Sequence, residues 1–227
     1  MALTTTVAAV VTVIVIYTRV DSLAGWTRGE VLVVIGCYQM LGGMLTTFIE
    51  PNAMWFDQRV KRGELDEILL KPVPSLYLAT LGMQAPLGLA GVLLGLFVIG
   101  IGLQNHFSLL HLLAGTGTFL SALVLLWATR VLIMLVSLWA PSLTLDVMYD
   151  ALWQFGRYPV AIYRQPVRAV LTFMIPIGLM TTVPALALTR GIDLPLLALG
   201  VGVGPGAFVL VNCLWSRSLR RYTSATS

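Results

Sequence analysis

The stretch Phe56–Leu76, FDQRVKRGELDEILLKPVPSL, carries eight charged side chains between Asp57 and Lys71, a third of all the Asp, Glu, Lys and Arg in the chain. Nearly everything on either side of it is apolar. A compact segment of both charge signs inside such a sequence needs water on at least one face, so its place relative to the apolar runs decides the architecture.

The surrounding composition defines the solvent. Hydrophobic residues make up 58% of the chain and charged residues 11%, with a mean hydropathy of +0.89, and such a chain could not hide its apolar surface in water. The expectation is an all-α integral membrane protein forming one domain over residues 1–227. A span needs about 20 apolar residues, and six runs approach that length: 2–18, 31–49, 76–103, 108–140, 169–189 and 194–215. Two longer connections remain, 50–75 and 141–168, with short amphipathic cytoplasmic helices expected in them. The N-terminal MALTTTVAAVVTVIVIY has neither a basic start nor a small-residue cleavage site, so it reads as a retained first span rather than a signal peptide. Cys37 and Cys213 lie in apolar runs without ligand-like spacing and read as packing residues.

Orientation follows from Lys and Arg. Ten of the 14 fall in the loop after the second run, the loop after the fourth, and the C-terminal tail. Arg19, Arg28 and Arg190 fall on the opposite side, and Arg130 lies within the fourth run. This asymmetry puts both termini and both long loops in the cytoplasm. Tyr17, Trp26, Tyr77, Trp139, Trp153 and Trp215 sit near the inferred interfaces, as an aromatic belt should.

The opening stretch is then cytoplasmic. Pro51 suits the first turn of a helix, Asp57 precedes Lys61 by one turn, and Gly63 suits a stop. A second short helix can begin there: Glu64, Asp66 and Glu67 favour its N-terminal end, Lys71 and Pro72 its C-terminal end, and Leu65, Ile68 and Leu69 share one face. Such an amphipathic hairpin either anchors the loop at the membrane surface or docks a cytoplasmic partner.

The run GELDEILLKPVPSLY, with FGRYPVAIYRQPVRAVLTFMIPIGLMTTVPALAL about 90 residues later, resembles the membrane permeases of type-two ABC exporters, closest to the branch loosely described as antibiotic or viologen exporters. Gly63, Leu65, Asp66, Leu69 and Pro72 match that group's element after the second span. Tyr158 and Pro159 match its Tyr-Pro motif, and Pro176 and Pro184 lie in its fifth span. The resemblance covers most of the chain from about Gly25 onward. It implies a six-span export permease in the cytoplasmic membrane of a prokaryote, without catalysis of its own. A second permease, identical or a sister protein, would pair with it, and a separate ABC ATPase subunit holding ATP and Mg would dock on residues 63–72. The resemblance also suggests that the second inner loop, with Arg157, Tyr158, Pro159 and Arg164, helps receive substrate. Such permeases usually carry an amphipathic segment before the first span, and here almost none precedes it. That leaves either a truncated start or a subunit without this elbow.

Other chemistries lack their residues. Neither Lys61 nor Lys71 sits in a phosphate-binding Gly-x-x-x-x-Gly-Lys loop. The two histidines, His106 and His111, flank an outer loop without a nucleophile, and no Asp, Glu or His cluster has metal-ligand spacing. Nucleic-acid binding has no basic stripe beyond what topology explains. A secondary transporter driven by an ion gradient would normally carry acids near mid-bilayer, whereas Glu30 and Glu50 lie at run ends and Asp146 and Asp150 in a loop. That alternative and a non-transporting scaffold are the competing readings. Arg130 either snorkels, pairs with an acid from a neighbouring span, or lines a substrate path. Tyr149, Trp153, Tyr158 and Tyr163 alternate with charges, which suits a segment resting at the headgroups. Small residues four apart, Gly91 with Gly95 and Gly200 with Gly204, permit close helix contact. Pro176, Pro184 and Pro205 are expected to kink or break their spans.

Overall fold

Helices in lipid gain little from burying apolar surface against each other, because lipid tails are as apolar as leucine; close packing and interhelical hydrogen bonds must hold them together. The computed structural model describes residues 2–62, 72–103, 108–137, 140, 143 and 145–221, and among these the regular structure is helical. The helices are α1 (Ala2–Ile16), α2 (Arg28–Met44), α3 (Glu50–Arg62), α4 (Ser75–Leu81), α5 (Leu89–Gly102), α6 (Leu109–Ser137), α7 (Leu145–Trp153), α8 (Val167–Ala169), α9 (Ile177–Thr189) and α10 (Leu194–Arg221). At the centre, α9 packs on both α2 and α6; α5 lies along α2, and α10 along α6.

The contact between α2 and α5 is the tightest. Gly29, Gly36 and Gly43 recur every seven residues on α2, and Gly88, Gly95 and Gly102 match them along the facing chain. A Cβ added at Gly36 would lie 2.8 Å from the Gly95 carbonyl oxygen, and one at Gly95 would lie 2.7 Å from that of Gly36. The same reciprocal approach joins Gly29 to Gly102 and Gly43 to Gly88, so the helices run antiparallel with backbone against backbone. The pair Gly91 and Gly95 thus serves contact within the chain. Gly200 and Gly204 do likewise against Thr118 and Ser121 of α6, where the Ser121 hydroxyl oxygen accepts from the Gly204 N–H at 2.8 Å.

The spans depart from expectation in their breaks. Residues 31–49 were expected to end a span at Glu50, but α2 continues through a π-helical turn, Leu45–Ile49, into α3, making one helix over Arg28–Val60. Pro51 explains the π-turn: its ring would clash with the carbonyl one turn back in an α-helix, and the wider turn, with the Glu50 N–H bonded to the Leu45 carbonyl, makes room. The interval 76–103 is bent by 58° between α4 and the Pro86–Gly102 stretch, and 169–189 by 88° between Val167–Met174 and α9. Pro176 stands at the second break and caps α9, whereas Pro184 and Pro205 lie inside α9 and α10 without interrupting them. Among the described residues three helices are long and apolar enough to cross a bilayer alone, or up to five if each bent pair is one span; α1 is apolar but shorter. Length and composition therefore mark three to five candidate spans among the described residues.

The end of the bundle holding Arg190 is tied by ions. Glu30 closes a capping box with Thr27 and accepts two hydrogen bonds from the Arg190 guanidinium. Arg190 also donates to the Gly25 carbonyl, and its guanidinium lies 5.3 Å from the centre of the Trp26 ring. The Glu30 hydrogen bonds push the Arg190 guanidinium above its ordinary range. Gly25 has φ +81, in a tight turn that only glycine adopts freely. Arg190→Gln should destabilise the folded protein by about 2 kcal/mol, since it removes the counter-charge from a buried carboxylate. Thermal unfolding in detergent reads this loss, and adding Glu30→Gln should recover about half of it if the charge is the cause.

Candidate functional site

Below α2, the charged stretch begins on a braced base. Phe56 is fully buried on α3 and packs on Trp215 of α10, ring centroids 5.7 Å apart, in a cluster with Ala79 of α4 and Val131 and Leu135 of α6. Trp215 donates to the Ser75 hydroxyl at 3.1 Å. Asn52, one turn earlier and fully buried, treats the break after α4 as a peptide would: its amide donates to the Met83 carbonyl at 2.7 Å and its oxygen accepts from the Met83 N–H at 2.7 Å. The Ala85 N–H reaches the Thr47 carbonyl at 2.8 Å. These bonds satisfy backbone groups that the bend frees, as a broken helix in a membrane requires.

A second feature runs across the helices. The Arg157 guanidinium lies 5.5 Å from the Tyr38 ring centre, Tyr38 stacks on Trp153 at 5.2 Å, Trp153 on Tyr149 at 6.2 Å, and the Arg130 guanidinium lies 4.4 Å from the Tyr149 ring centre. This ladder of three rings between two cations ties α7 to α2 on one side and α6 on the other. Tyr149 and Trp153 were expected at the headgroups but are buried in the core. They are the inward faces of a short amphipathic helix whose Val147 and Met148 point outward. Burial pushes the Tyr149 phenol upward, and that of Tyr163 up to about 12.

Arg130 is buried and pairs with acids from neighbouring elements: its Nη2 donates to Asp150 of α7, and Glu50 of α3 lies 3.9 Å away. Two cavities flank this cluster. One of about 610 Å³ is lined by Gln39, Tyr38, Leu94, Gln154 and Arg157; the other, of about 450 Å³, by Asp57, Asp146, Arg130, Met54 and Ile133. Glu50 and Asp150 line both. Each volume is in the range of small-molecule sites.

Of the residues expected to meet the ATPase, Gly63, Glu64, Leu65, Asp66, Glu67, Ile68 and Leu69 lie outside the described residues, and Pro72 is exposed ahead of α4. Within the second connection, Arg157 lines the larger cavity and donates to Gln154 at 3.0 Å. Tyr158 packs against the cluster around α2, Pro159 is buried before a 3₁₀ turn, and Arg164 is exposed, apart from that cavity's lining. Pro176 shapes the break before α9, and Pro184 is buried within α9. Cys37 is buried as a packing residue should be, while Cys213 is exposed on α10. Asn52 escaped the sequence reading, which placed Glu50 at a run end and Asp150 in a loop and gave neither a role. Glu50 and Asn52 looked like the polar start of a loop, and the one available signal was the i, i+4 pair Asp146 and Asp150, which puts both acids on one face of a helix.

A family model described as "ABC-2 family transporter protein" matches residues 3–226, nearly the whole chain. No curated protein and no solved structure matches the chain significantly.

Proposed function

Because this chain belongs to the ABC-2 transporter family, and is by that membership an ABC-type permease, we propose that it is the membrane-spanning subunit of an exporter powered by a separate ABC ATPase. The six spans of this reading are α1, the α2–α3 helix, the bent pair through α5, α6, the bent pair through α9, and α10, with both termini in the cytoplasm of a prokaryote. Two permeases, identical or sister chains, enclose the path, and ATP and Mg are held by the ATPase subunits. The observation that carries the reading is mechanical. The charged stretch begins on a helix that runs over Arg28–Val60 through one π-turn and is packed at its base against α4, α6 and α10. In this reading a push delivered through the charged stretch reaches the bundle by way of the packed α3. A secondary transporter would need an intramembrane acid free to take up an ion, whereas Glu50 and Asp150 both face Arg130.

The test compares two double variants in detergent-solubilised complexes. Asp66→Arg with Glu67→Arg should cut co-purification of the co-expressed ABC ATPase about tenfold, as loss of an interface anchor does. Leu65→Ala with Leu69→Ala should weaken docking by about 2 kcal/mol if these leucines enter an ATPase groove. Wild-type ATPase binding and ATP hydrolysis by both folded variants would refute this coupling role.

A further inference from the structure

The larger cavity and the smaller one share Glu50 and Asp150 in their linings, and residues of α7 line each of them. Arg130 reaches this point from α6 and is only 5% exposed. A guanidinium offers five donors in a rigid fork, yet the Arg130 Nε is buried without a hydrogen-bond partner, and the Tyr149 hydroxyl, on the ring beneath it, is buried without one as well. Two buried polar atoms without a protein partner leave the guanidinium under-satisfied where it stands, which a second arrangement of its ion pairs would explain. A second arrangement is at hand: the nitrogen that donates to Asp150 also has Glu50 only 3.9 Å away.

The two acids differ in what they can lose. The Asp150 side chain is 57% exposed, so water can take over when Arg130 lets go, and Val147 and Met148 of α7 are exposed as well. Glu50 belongs to the Arg28–Val60 helix, on which the charged stretch begins, and directly follows its π-turn. Single π-turns inside helices recur at functional sites. Displacement of α3 about this turn would carry Glu50 relative to α6, while Trp153, stacked on Tyr38, is the natural pivot for α7.

We propose that Arg130 is an exchange latch: in the present state it holds α7 through Asp150 across the gap between the cavities, and movement of α3 brings Glu50 onto the guanidinium, frees Asp150 and lets α7 swing, joining the two cavities into one path. The inference rests on the permease reading, because the force on α3 comes from the ATPase. It assigns Glu50 and Asp150 opposite roles, release and closure, whereas a static ion cluster would treat them alike. Asp57 and Asp146 line the same cavity and Arg157 the other, so all variants are compared at one pH and ionic strength.

Hydrogen exchange of residues 145–153, followed by mass spectrometry on the ATPase complex in lipid nanodiscs, reads the latch directly. In the nucleotide-free complex, Asp150→Asn should speed exchange in α7 about tenfold, and Glu50→Gln should leave it protected. On addition of ATP and vanadate, the wild type should lose protection in α7 and Glu50→Gln should keep it. Exchange in α6 and α9 checks that each variant is folded; should Asp150→Asn unfold, the nucleotide arm with Glu50→Gln decides alone. Equal deprotection by the two variants, or a wild-type α7 that is indifferent to ATP in a complex that contains the ATPase, overturns the latch. Absence of the ATPase from the purified complex would instead strike the permease reading on which the latch depends.

Discussion

Gly36→Leu and Gly95→Leu are each expected to prevent the protein from accumulating in a folded form. Either side chain must begin with a Cβ, and at both positions that atom would fall under 3 Å from the carbonyl oxygen of the opposing helix. A clash with a flexible side chain can be relieved by a rotamer change, but a clash with backbone can be relieved only by moving a helix. Separating α2 from α5 at the middle of three such contacts would also part Gly29 from Gly102 and Gly43 from Gly88, because a helix moves as a rod. Overpacking of a well-fitted interior typically costs 1–3 kcal/mol and occasionally more; with the whole seam affected, about 3 kcal/mol or more is expected, a large share of the stability of an ordinary domain. Gly100→Leu provides the control on the same helix, since nothing lies within 4 Å of its added Cβ, and it should keep the wild-type melting temperature to within a few degrees. Thermal unfolding of purified protein in detergent, with recovery of monodisperse protein from membranes, compares the three. A Gly36→Leu variant as stable as Gly100→Leu would mean that the seam is not close-packed.

How much of this was readable follows from which interactions are local. Membrane residence, the helical class and the amphipathic character of 145–153 are set by composition and short-range pattern, and they are legible without a structure. Gly29, Gly36 and Gly43 were also in plain view, but a seven-residue glycine spacing becomes a contact only when a second helix carries the complementary spacing in the reverse direction, and one sequence names no partner. Pro51 misled for a related reason: a proline after an apolar run reads as a new helix start, whereas here the π-turn absorbs its ring and the helix continues. Arg130 was recognised as an ion in need of a partner, but the partners are 20 and 80 residues away in sequence, on elements that read as loops. The prolines divide by context. Pro176 breaks its helix where a π-turn ends and Ile175 is extended, while Pro184 and Pro205 stay inside helices held by packing on α6.

Asn52→Leu is the second large effect expected, and it connects the fold to the coupling role. The asparagine is fully buried and makes three hydrogen bonds, to the Phe48 carbonyl at 2.6 Å and to both backbone groups of Met83. Leucine has the same number of side-chain heavy atoms and the same branching but is bulkier, so the substitution removes the polar contacts without leaving a cavity. The Met83 N–H and C=O then lose their partners at a point where the backbone has already left its helix, at a cost of 1–3 kcal/mol for each buried group left unpaired. A total of about 3 kcal/mol follows, allowing for partial access of water at the bend. Asn52→Asp should be as damaging despite its similar shape, because it keeps the acceptor for the Met83 N–H, loses the donor to two carbonyls and adds a charge in a buried site. Asn52→Gln retains both functions but reaches further, and it should recover part of the loss if the bidentate contact to Met83 is what matters. Thermal unfolding ranks the three, with Gln the most stable. In the coupling reading the same bonds fasten α3 to the break before α5, so a variant that folds at low temperature should bind the ATPase normally yet show ATP hydrolysis that no longer depends on the permease. Wild-type stability of Asn52→Leu would remove Asn52 from both roles, leaving Phe56 and Trp215 as the brace beneath the charged stretch.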